Sequence, residues 1–248
     1  MTQYCVFWLY GPMASWGEIA VGEHRHTSNH PSKSAIIGLI GAALGIRRDQ
    51  DDLHAQLSRT IGVASLVRDP GIPVEDYHTV QTPPQAELNR GSHFRTRKDE
   101  LSIGSDTLST VLSRRDYRCD PCVSVCIWMR ETGVPYSLDD ISRALAAPVF
   151  TLYLGRKSCP PGLPLRPLVV EAPSILEAFG SAGWAPPVLS EMRTFPGEAD
   201  LFWDADGNAG VGPRHVYSRR DEVISRRRWT FSNRFEHFET VPIPPLEG

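Results

Sequence analysis

The residues with the clearest chemical potential lie at the start of a glycine-spaced apolar stretch, NHPSKSAIIGLIGAALGI (residues 29–46). A nucleotide-binding Walker loop needs Gly directly before its Lys and another Gly five residues earlier, but Ser32 and Thr27 stand there. Nucleotide hydrolysis is therefore not predicted. Instead, Ser32 or Ser34 can cap a helix whose free N–H groups point outward, with Lys33 adding positive charge. The pattern predicts a site for an anionic group.

Histidines close to this site raise the question of metal binding. HRHTSNH contains His24, His26 and His30, but no carboxylate completes a ligand set at helical spacing, and the HExxH pattern is absent. The sequence therefore favours a basic loop beside the anion site over a metal centre. A third hypothesis stays open, in which His26 near Lys33 acts as an acid or base in metal-independent RNA cleavage.

Three of the five cysteines crowd into CDPCVSVC (residues 119–126). Between residues 122 and 129, Cys, Ser and Trp alternate with Val, Ile and Met. This period of two is typical of a buried strand, in which a free Cys packs as a small apolar residue. Because no second Cys pair follows, the pattern favours a strand over a zinc site.

The distribution of charge says more than its sum. With 26 basic and 29 acidic residues, the net charge of −3 does not indicate a nucleic-acid-binding protein. Basic residues nevertheless gather beside aromatic or His residues in RGSHFRTRK, SRRDYR and RHVYSRRDEVISRRR, and again in GRKS. Cations beside aromatic rings suit a single-stranded nucleic acid, which offers phosphates and unstacked bases. A merely solvated charged surface is the alternative.

The ends and the apolar runs of the chain bear on its location. No apolar run reaches the ~20 residues that a membrane-spanning helix needs. The N-terminal MTQYCVFWLYG shows neither a basic region nor a cleavage site of an export signal. The sequence therefore predicts a cytoplasmic protein that does not contact a membrane.

The order of predicted elements indicates how these residues are positioned. YCVFWLY reads as a strand, residues 34–44 and DDLHAQL as helices, IGVASLV and CVSVCIWM as strands, SLDDISRALAA as a helix and PVFTLYLG as a strand. This is the βαββαβ order of an α+β, ferredoxin-like domain. We assign this domain to residues 1–158. Residues 159–248 form a C-terminal region, mainly β, with a helix at PSILEAFG and a hairpin around DADGNAG.

A polar, basic insertion interrupts the predicted domain between about residues 79 and 112, longer than an ordinary loop. It carries Arg90, Arg95, Arg97 and Lys98 and too few apolar residues to build a core of its own. Ordering it therefore requires a partner surface, for which an RNA backbone is the obvious candidate.

Six sequence blocks carry a resemblance to a known family. YGPMASWG, then Arg25 and Thr27 before PSKSAIIGLIGAALGI, then DYHTV, RRDYRCD, YLGRKSCP and SRRRW follow one another at suitable spacing. Together they resemble the CasD family, the RAMP-superfamily subunits of the type I-E CRISPR surveillance complex, Cascade. The resemblance covers most of the first 160 residues and one later strand.

The resemblance implies a binding protein. A subunit of this family has a RAMP-type ferredoxin-like fold, binds and caps the 5′ handle of the CRISPR RNA (crRNA), and contacts the backbone (CasC-type) and large (CasA-type) subunits. It meets target DNA only indirectly, through the complex. Its β-hairpin thumb maps here to about residues 82–112. No catalytic residue, metal or cofactor is expected, although a subtype I-C relative cleaves RNA with Tyr, His and Lys, which leaves a metal-independent endoribonuclease as the alternative.

The predicted RNA-binding residues are selected basic, hydroxyl-bearing or aromatic residues from the quoted blocks and the insertion. They are Arg25, Thr27, Ser32, Lys33, Ser34, His78, Arg95, Arg97, Arg114, Arg115, Tyr117, Tyr153, Arg156 and Lys157.

Overall fold

The computed structural model describes residues 1–17, 20, 22–89, 94–131 and 135–244. The strands, in chain order, are β1 Thr2–Tyr10, β2 Met13–Ala14, β3 Trp16–Gly17, β4 His24–Arg25, β5 Thr27–Ser28, β6 Ile61–Asp69, β7 Ile72–Thr82, β8 Ser109–Cys119, β9 Cys122–Met129, β10 Leu168–Ala172, β11 Glu198–Asp204, β12 His215–Ser225 and β13 Thr230–Pro242. The helices are α1 Lys33–Ala43, α2 Asp51–Thr60, α3 Gln85–Asn89, α4 Arg97–Leu101, α5 Leu138–Ala146, α6 Ile175–Ala182 and α7 Pro187–Met192. None of the described helices is long and apolar enough to cross a membrane.

The main sheet has the strand order β10-β1-β9-β6-β11-β13-β12, and its neighbouring strands are antiparallel. Its first four strands, with α1 and α2 between β1 and β6 and α5 between β9 and β10, form the βαββαβ unit of a ferredoxin-like fold. The predicted fold class is confirmed. The helices α1, α2 and α5 pack on one face of the sheet, and α6 packs on the other.

The central strand β9 is buried on both faces, as its sequence predicts. Val123, Val125 and Ile127 face α1, α2 and α5, whereas Cys126 and Trp128 face α6. The cysteines are free thiols, and burial raises the pKa of the Cys122 thiol to about 12. Cys122 therefore behaves as a packing residue.

The fourth strand of the unit lies later in the chain than predicted. PVFTLYLG (residues 148–155) is irregular, and β10 takes the predicted position beside β1. The N–H groups of Val149 and Phe150 donate to the carbonyls of Ala43 and Ala42 at the end of α1. The backbone of this segment thus bonds to a helix end rather than to a strand, while its alternating Leu152 and Leu154 side chains are buried in the core.

The C-terminal strands continue the same sheet. β11 pairs with β6, so strands from both sides of residue 158 lie next to one another. The hairpin predicted around DADGNAG is wrong in position: Gly207 donates to the Asp204 carbonyl in a turn, but β11 then pairs with β13. The hairpin of this region is β12–β13, which begins after the turn.

The arm, which we define as residues 72–119, is a long hairpin outside the main sheet. β7 and β8 pair from Ile72 with Cys119 to Thr82 with Ser109, and α3 and α4 lie between them. The predicted thumb at residues 82–112 covers only the outer part of this hairpin. DYHTV and RRDYRCD form much of its strands, and because the strands are mostly exposed on both faces, no apolar alternation reveals them. Arg90 lies outside the described residues.

Candidate nucleic-acid interface

The first turn of α1 is already occupied by protein groups. Ser32 is the N-cap, and its hydroxyl accepts a hydrogen bond from the Ala35 N–H at 3.2 Å. The Lys33 N–H donates to the Asp221 carboxylate at 2.7 Å. The predicted helix cap is thus present at Ser32, but a carboxylate of the chain itself takes the position of the anion.

The predicted RNA-binding role of Lys33 requires a correction. Lys33 is 1% exposed, and its Nζ lies 3.2 Å from Asp204 Oδ2 and 3.0 Å from Glu222 Oε1. A buried ammonium that is paired with two carboxylates does not reach a phosphate in this arrangement. Its role is to join the start of α1 to the C-terminal strands, because Asp204 ends β11 and Glu222 lies on β12.

Lys33 belongs to a larger group of charges that we call the interior ion cluster. Arg234 is its second centre, bonded to Asp204 at 2.9 Å, Asp221 at 2.7 Å and Glu236 at 2.6 Å. Burial lowers the pKa of Arg234, but these three carboxylates outweigh it and raise that pKa. The cluster consists of His30, Lys33, Arg130, Asp204, Asp221, Glu222, Arg234 and Glu236.

A different set of cations lies on the surface at the base of the arm. β4 pairs with β8 in parallel, which sets Arg25 opposite Arg115, and both are exposed. The Arg156 guanidinium lies 4.7 Å from the centre of the Tyr117 ring and donates to the Arg25 carbonyl at 3.4 Å. Alternation along β8 places Arg115 and Tyr117 on one side. Tyr117 itself is only 8% exposed and packs in the core, so its ring supports the Arg156 guanidinium and is not open to a base, contrary to the prediction. We call Arg25, Arg115 and Arg156 the basic face.

The other predicted residues are distributed more widely. Arg114 lies on the opposite side of β8, over the Tyr77 ring at 5.6 Å, and His78 contacts Asp76 at 3.0 Å. Arg97 at the arm tip pairs with Glu100 at 2.6 Å. Three further residues complete the set: Arg95 at the tip and Lys157 are exposed, and the Thr27 hydroxyl accepts a hydrogen bond from the Trp16 N–H at 2.7 Å.

A cavity of about 730 Å³ opens next to the basic face. It lies between α1, the connection from α1 to α2, the irregular segment at residues 150–156 and the turn between β12 and β13. Its polar and aromatic lining includes Trp16, Ser32, Ser34, Arg47, Arg48, His54, Tyr153, Arg156, Arg226 and Trp229.

Tyr153 and Gly155 sit at the rim of this cavity. Tyr153 is 40% exposed, so part of its ring is accessible. Gly155 has φ of +85°, and a Cβ there would lie 1.8 Å from the Ser15 carbonyl oxygen. We expected this glycine to admit an RNA backbone. Instead, it admits the backbone of Ser15, which fixes the irregular segment next to Tyr153.

Sequence reasoning missed three residues of the cavity. Arg226 donates to the Ser34 carbonyl, and its guanidinium lies 5.4 Å from the centre of the Trp229 ring, while Arg48 approaches the same ring at 5.5 Å. Burial lowers the pKa of Arg226. Gly38 of α1 leaves room for this side chain, since a Cβ there would lie 2.6 Å from the guanidinium. The available signal was SRRRW, in which arginines precede a Trp.

The histidine loop acquires the carboxylate that its own sequence lacks. Asp116 on β8 lies 2.9 Å from His24 and 3.2 Å from His26. Local spacing did not reveal this contact, because the strand pairing of β4 with β8 creates it.

Comparison with known proteins identifies the family to which this fold belongs. A family model described as CRISPR-associated protein (Cas_Cas5) matches residues 4–235. The chain is 31% identical over 173 residues to the CRISPR system Cascade subunit CasD of Escherichia coli (strain K12), an alignment that covers 66% of this chain and 70% of that protein.

Two solved structures share the architecture over nearly the whole chain. A chain of a CRISPR RNA-guided surveillance complex has a TM-score of 0.62 and 24% identity, with 97% of this chain and 91% of that chain covered. A structure described as a Cas protein has a TM-score of 0.61 and 23% identity, covering 99% and 98%. With the family match spanning most of the described sheet, the chain belongs to the Cas5 family of CRISPR-associated proteins.

Proposed function

We propose that this protein is a subunit of a type I-E CRISPR surveillance complex that binds and caps the 5′ handle of the crRNA without cleaving it. The observation that carries the proposal is the joining of Arg25, Arg115 and Arg156 into one surface, with Arg156 over the buried Tyr117 ring, beside a cavity with aromatic walls. Exposed cations match phosphates, and accessible rings match unstacked bases.

The cavity supports a role in holding bases. Tyr153 and Trp229 supply rings, and Arg226 and Arg48 lie over Trp229 within cation–π distance. Within the described part of the chain, Nη1 of Arg156 and Nε of Arg226 are buried without a hydrogen-bond partner. Both arginines line the cavity, where their positive charge favours the phosphate oxygens of a nucleotide.

The arm supplies the thumb in this proposal. It projects from the sheet next to the basic face, and its tip carries Arg95, Arg97 and Lys98. Folded over the RNA, it interrupts pairing between guide and target beside the handle. The partners are then the crRNA handle, a CasC-type backbone subunit and a CasA-type large subunit. Target DNA is met through the complex, in which base pairing with the guide supplies sequence specificity, and the complex serves antiviral defence.

The burial of Lys33 weakens the alternative function. A Tyr, His and Lys set for cleavage would use Lys33 with His26, but the Lys33 ammonium is enclosed by Asp204 and Glu222. Incubation of the purified protein with repeat RNA in EDTA separates the hypotheses. Retention without cutting supports the binding function, and a discrete cut supports the endoribonuclease. If the RNA is neither retained nor cut, the scaffold role is supported.

The direct test measures binding of 5′-handle RNA by fluorescence anisotropy at several salt concentrations. The variant with Arg25, Arg115 and Arg156 all replaced by Ala loses three phosphate contacts. We expect weaker binding and a salt slope reduced by ~0.7 per lost contact. Arg143→Ala, an exposed arginine of α5, is the matched control and leaves both unchanged. Wild-type affinity and slope in the triple variant would contradict the proposal.

A further inference from the structure

Three side chains from two strands and the loop after β4 converge at the base of the arm, on the side of β8 opposite Arg115. Asp116 Oδ1 lies 2.9 Å from His24 Nε2, and Asp116 Oδ2 lies 3.2 Å from His26 Nδ1. The two imidazole rings are 3.7 Å apart between centres and inclined by 46°. One nitrogen or oxygen from each of the three residues lies within 4.8 Å of the others.

A fourth donor is close by. Glu75 on β7 pairs directly with Asp116 on β8, and its Oε2 lies 3.7 Å from His24 Nε2. Among charged groups on the packed elements, Arg114 lies over Tyr77, and Arg25 donates to the Ala20 carbonyl. His26 is the most accessible member, with a side chain 66% exposed, so an ion can enter from solvent.

The donor types select a class of ion. Two imidazoles and two carboxylates are the nitrogen and oxygen ligands of Zn²⁺ and similar divalent transition metals, whereas Ca²⁺ and Mg²⁺ prefer oxygen alone. With metal–ligand bonds of about 2.0–2.2 Å, neighbouring donors of a tetrahedral site lie about 3.3 Å apart. The contacts of His24 and His26 with Asp116 and of Glu75 with His24 scatter around that spacing.

We propose that His24, His26 and Asp116, with Glu75 as the fourth ligand, bind one divalent transition-metal ion of the Zn²⁺ class. The two carboxylates balance the two positive charges of the ion, so the occupied site is neutral. The metal is structural: it fastens residues 24–26 to β7 and β8. Because Arg25 lies between the two histidines and opposite Arg115, the ion also fixes the backbone that carries part of the basic face.

The test titrates tag-free protein, stripped with a chelator that is then removed, with Co²⁺ while recording visible absorption. Tetrahedral Co²⁺ in this site gives an absorption band that saturates at one equivalent and disappears when Zn²⁺ is added. His26→Gln and Asp116→Asn abolish the band, and Glu75→Gln weakens Co²⁺ binding by about tenfold or more. His215→Gln, which alters an exposed histidine of β12, keeps the band.

Either of two absorption results would overturn the proposal. One is wild-type protein that shows no band with Co²⁺ in excess, and the other is a band that persists in Asp116→Asn. A second measurement guards against misfolded variants: Zn²⁺ raises the melting temperature of the wild type and of His215→Gln but not that of His26→Gln. Equal shifts in all three proteins would also refute the site.

Discussion

The interior ion cluster and the basic face use cations in opposite ways. Lys33 contacts two carboxylates and Arg234 contacts three. On the basic face, Arg25 contacts the Ala20 carbonyl, and Arg156 contacts a ring and a carbonyl. Neutral partners orient a guanidinium without cancelling its charge. The supply of carboxylates, rather than the number of cations, therefore separates a structural region from a candidate RNA surface.

The largest effect is expected when the two regions are compared by the same substitution. Lys33→Met leaves Asp204 and Glu222 with one cation fewer in the interior, so the free energy of unfolding should fall by about 3 kcal/mol. Handle affinity per folded molecule should not change. Lys157→Met, at an exposed lysine, should have the opposite pair of effects. Its free energy of unfolding should stay within ~0.5 kcal/mol of the wild-type value, and its RNA binding should be weaker. Urea unfolding and anisotropy measure both.

The comparison fails if Lys33→Met binds RNA more weakly at full stability. That outcome would return Lys33 to the RNA-binding set and would show that the helix terminus opens when RNA arrives.

Acid should weaken the interior ion cluster but not the basic face. Burial raises the pKa of Glu236, but His30 and the nearby arginines outweigh it and lower that pKa from 4.5 to about 2. A lowered pKa in the folded state contributes stability above pH 4.5. This contribution, about 3 kcal/mol, is lost as the pH falls toward 2.

Glu236→Gln tests this linkage. Urea unfolding at about pH 6 and about pH 3 should show a smaller loss of stability on acidification in the variant than in the wild type. Glu198→Gln, at an exposed position of β11, is the control and should retain the wild-type dependence. Identical pH dependence in wild type and Glu236→Gln would remove Glu236 from the acid-sensitive contacts.

The difference between the regions also explains what the sequence predicted. Local periodicity located β1, β6, β9, α5 and α6, because alternating or capped segments record their own burial. Ser137 and Asp140, for example, form the capping box of α5. Lys33 was misread because its carboxylate Glu222 is 189 residues away in the chain. Asp116 was missed for the same reason, since it lies 92 residues from His24.

Sequence motifs located the candidate surface better than its individual contacts. Arg25, Arg115, Tyr117 and Arg156 come from three separate blocks, and the structure brings them together. Arg226 and Trp229 belong to a quoted block, but their place in the cavity depends on how the turn between β12 and β13 packs against α1. Such packing leaves no local pattern.

A smaller effect is expected at the rim of the cavity. If the Tyr153 ring stacks on a handle base, Tyr153→Ala should cost ~1–3 kcal/mol of RNA binding. Tyr153→Phe retains the ring and should bind nearly as the wild type does. If the ring serves only packing, Tyr153→Ala instead lowers the melting temperature and leaves the affinity of the folded protein unaltered.

The smallest effect on the isolated protein is expected at the arm tip, which lies far from the interior ion cluster along the hairpin. Thr82 and Ser109 are paired, so an Asn-Gly turn can replace residues 83–108 and close the hairpin directly. The free energy of unfolding should stay within ~0.5 kcal/mol, since this segment adds little to the core. The salt slope of handle binding should fall by up to ~0.7 for each of Arg95 and Arg97.

In the unshortened protein, protease should cut within residues 83–108, and bound guide RNA should slow that cleavage. A shortened protein that assembles a surveillance complex with normal guide content and target binding would show that the arm tip is a tolerated surface loop. The basic face and the cavity would then be sufficient to bind the 5′ handle.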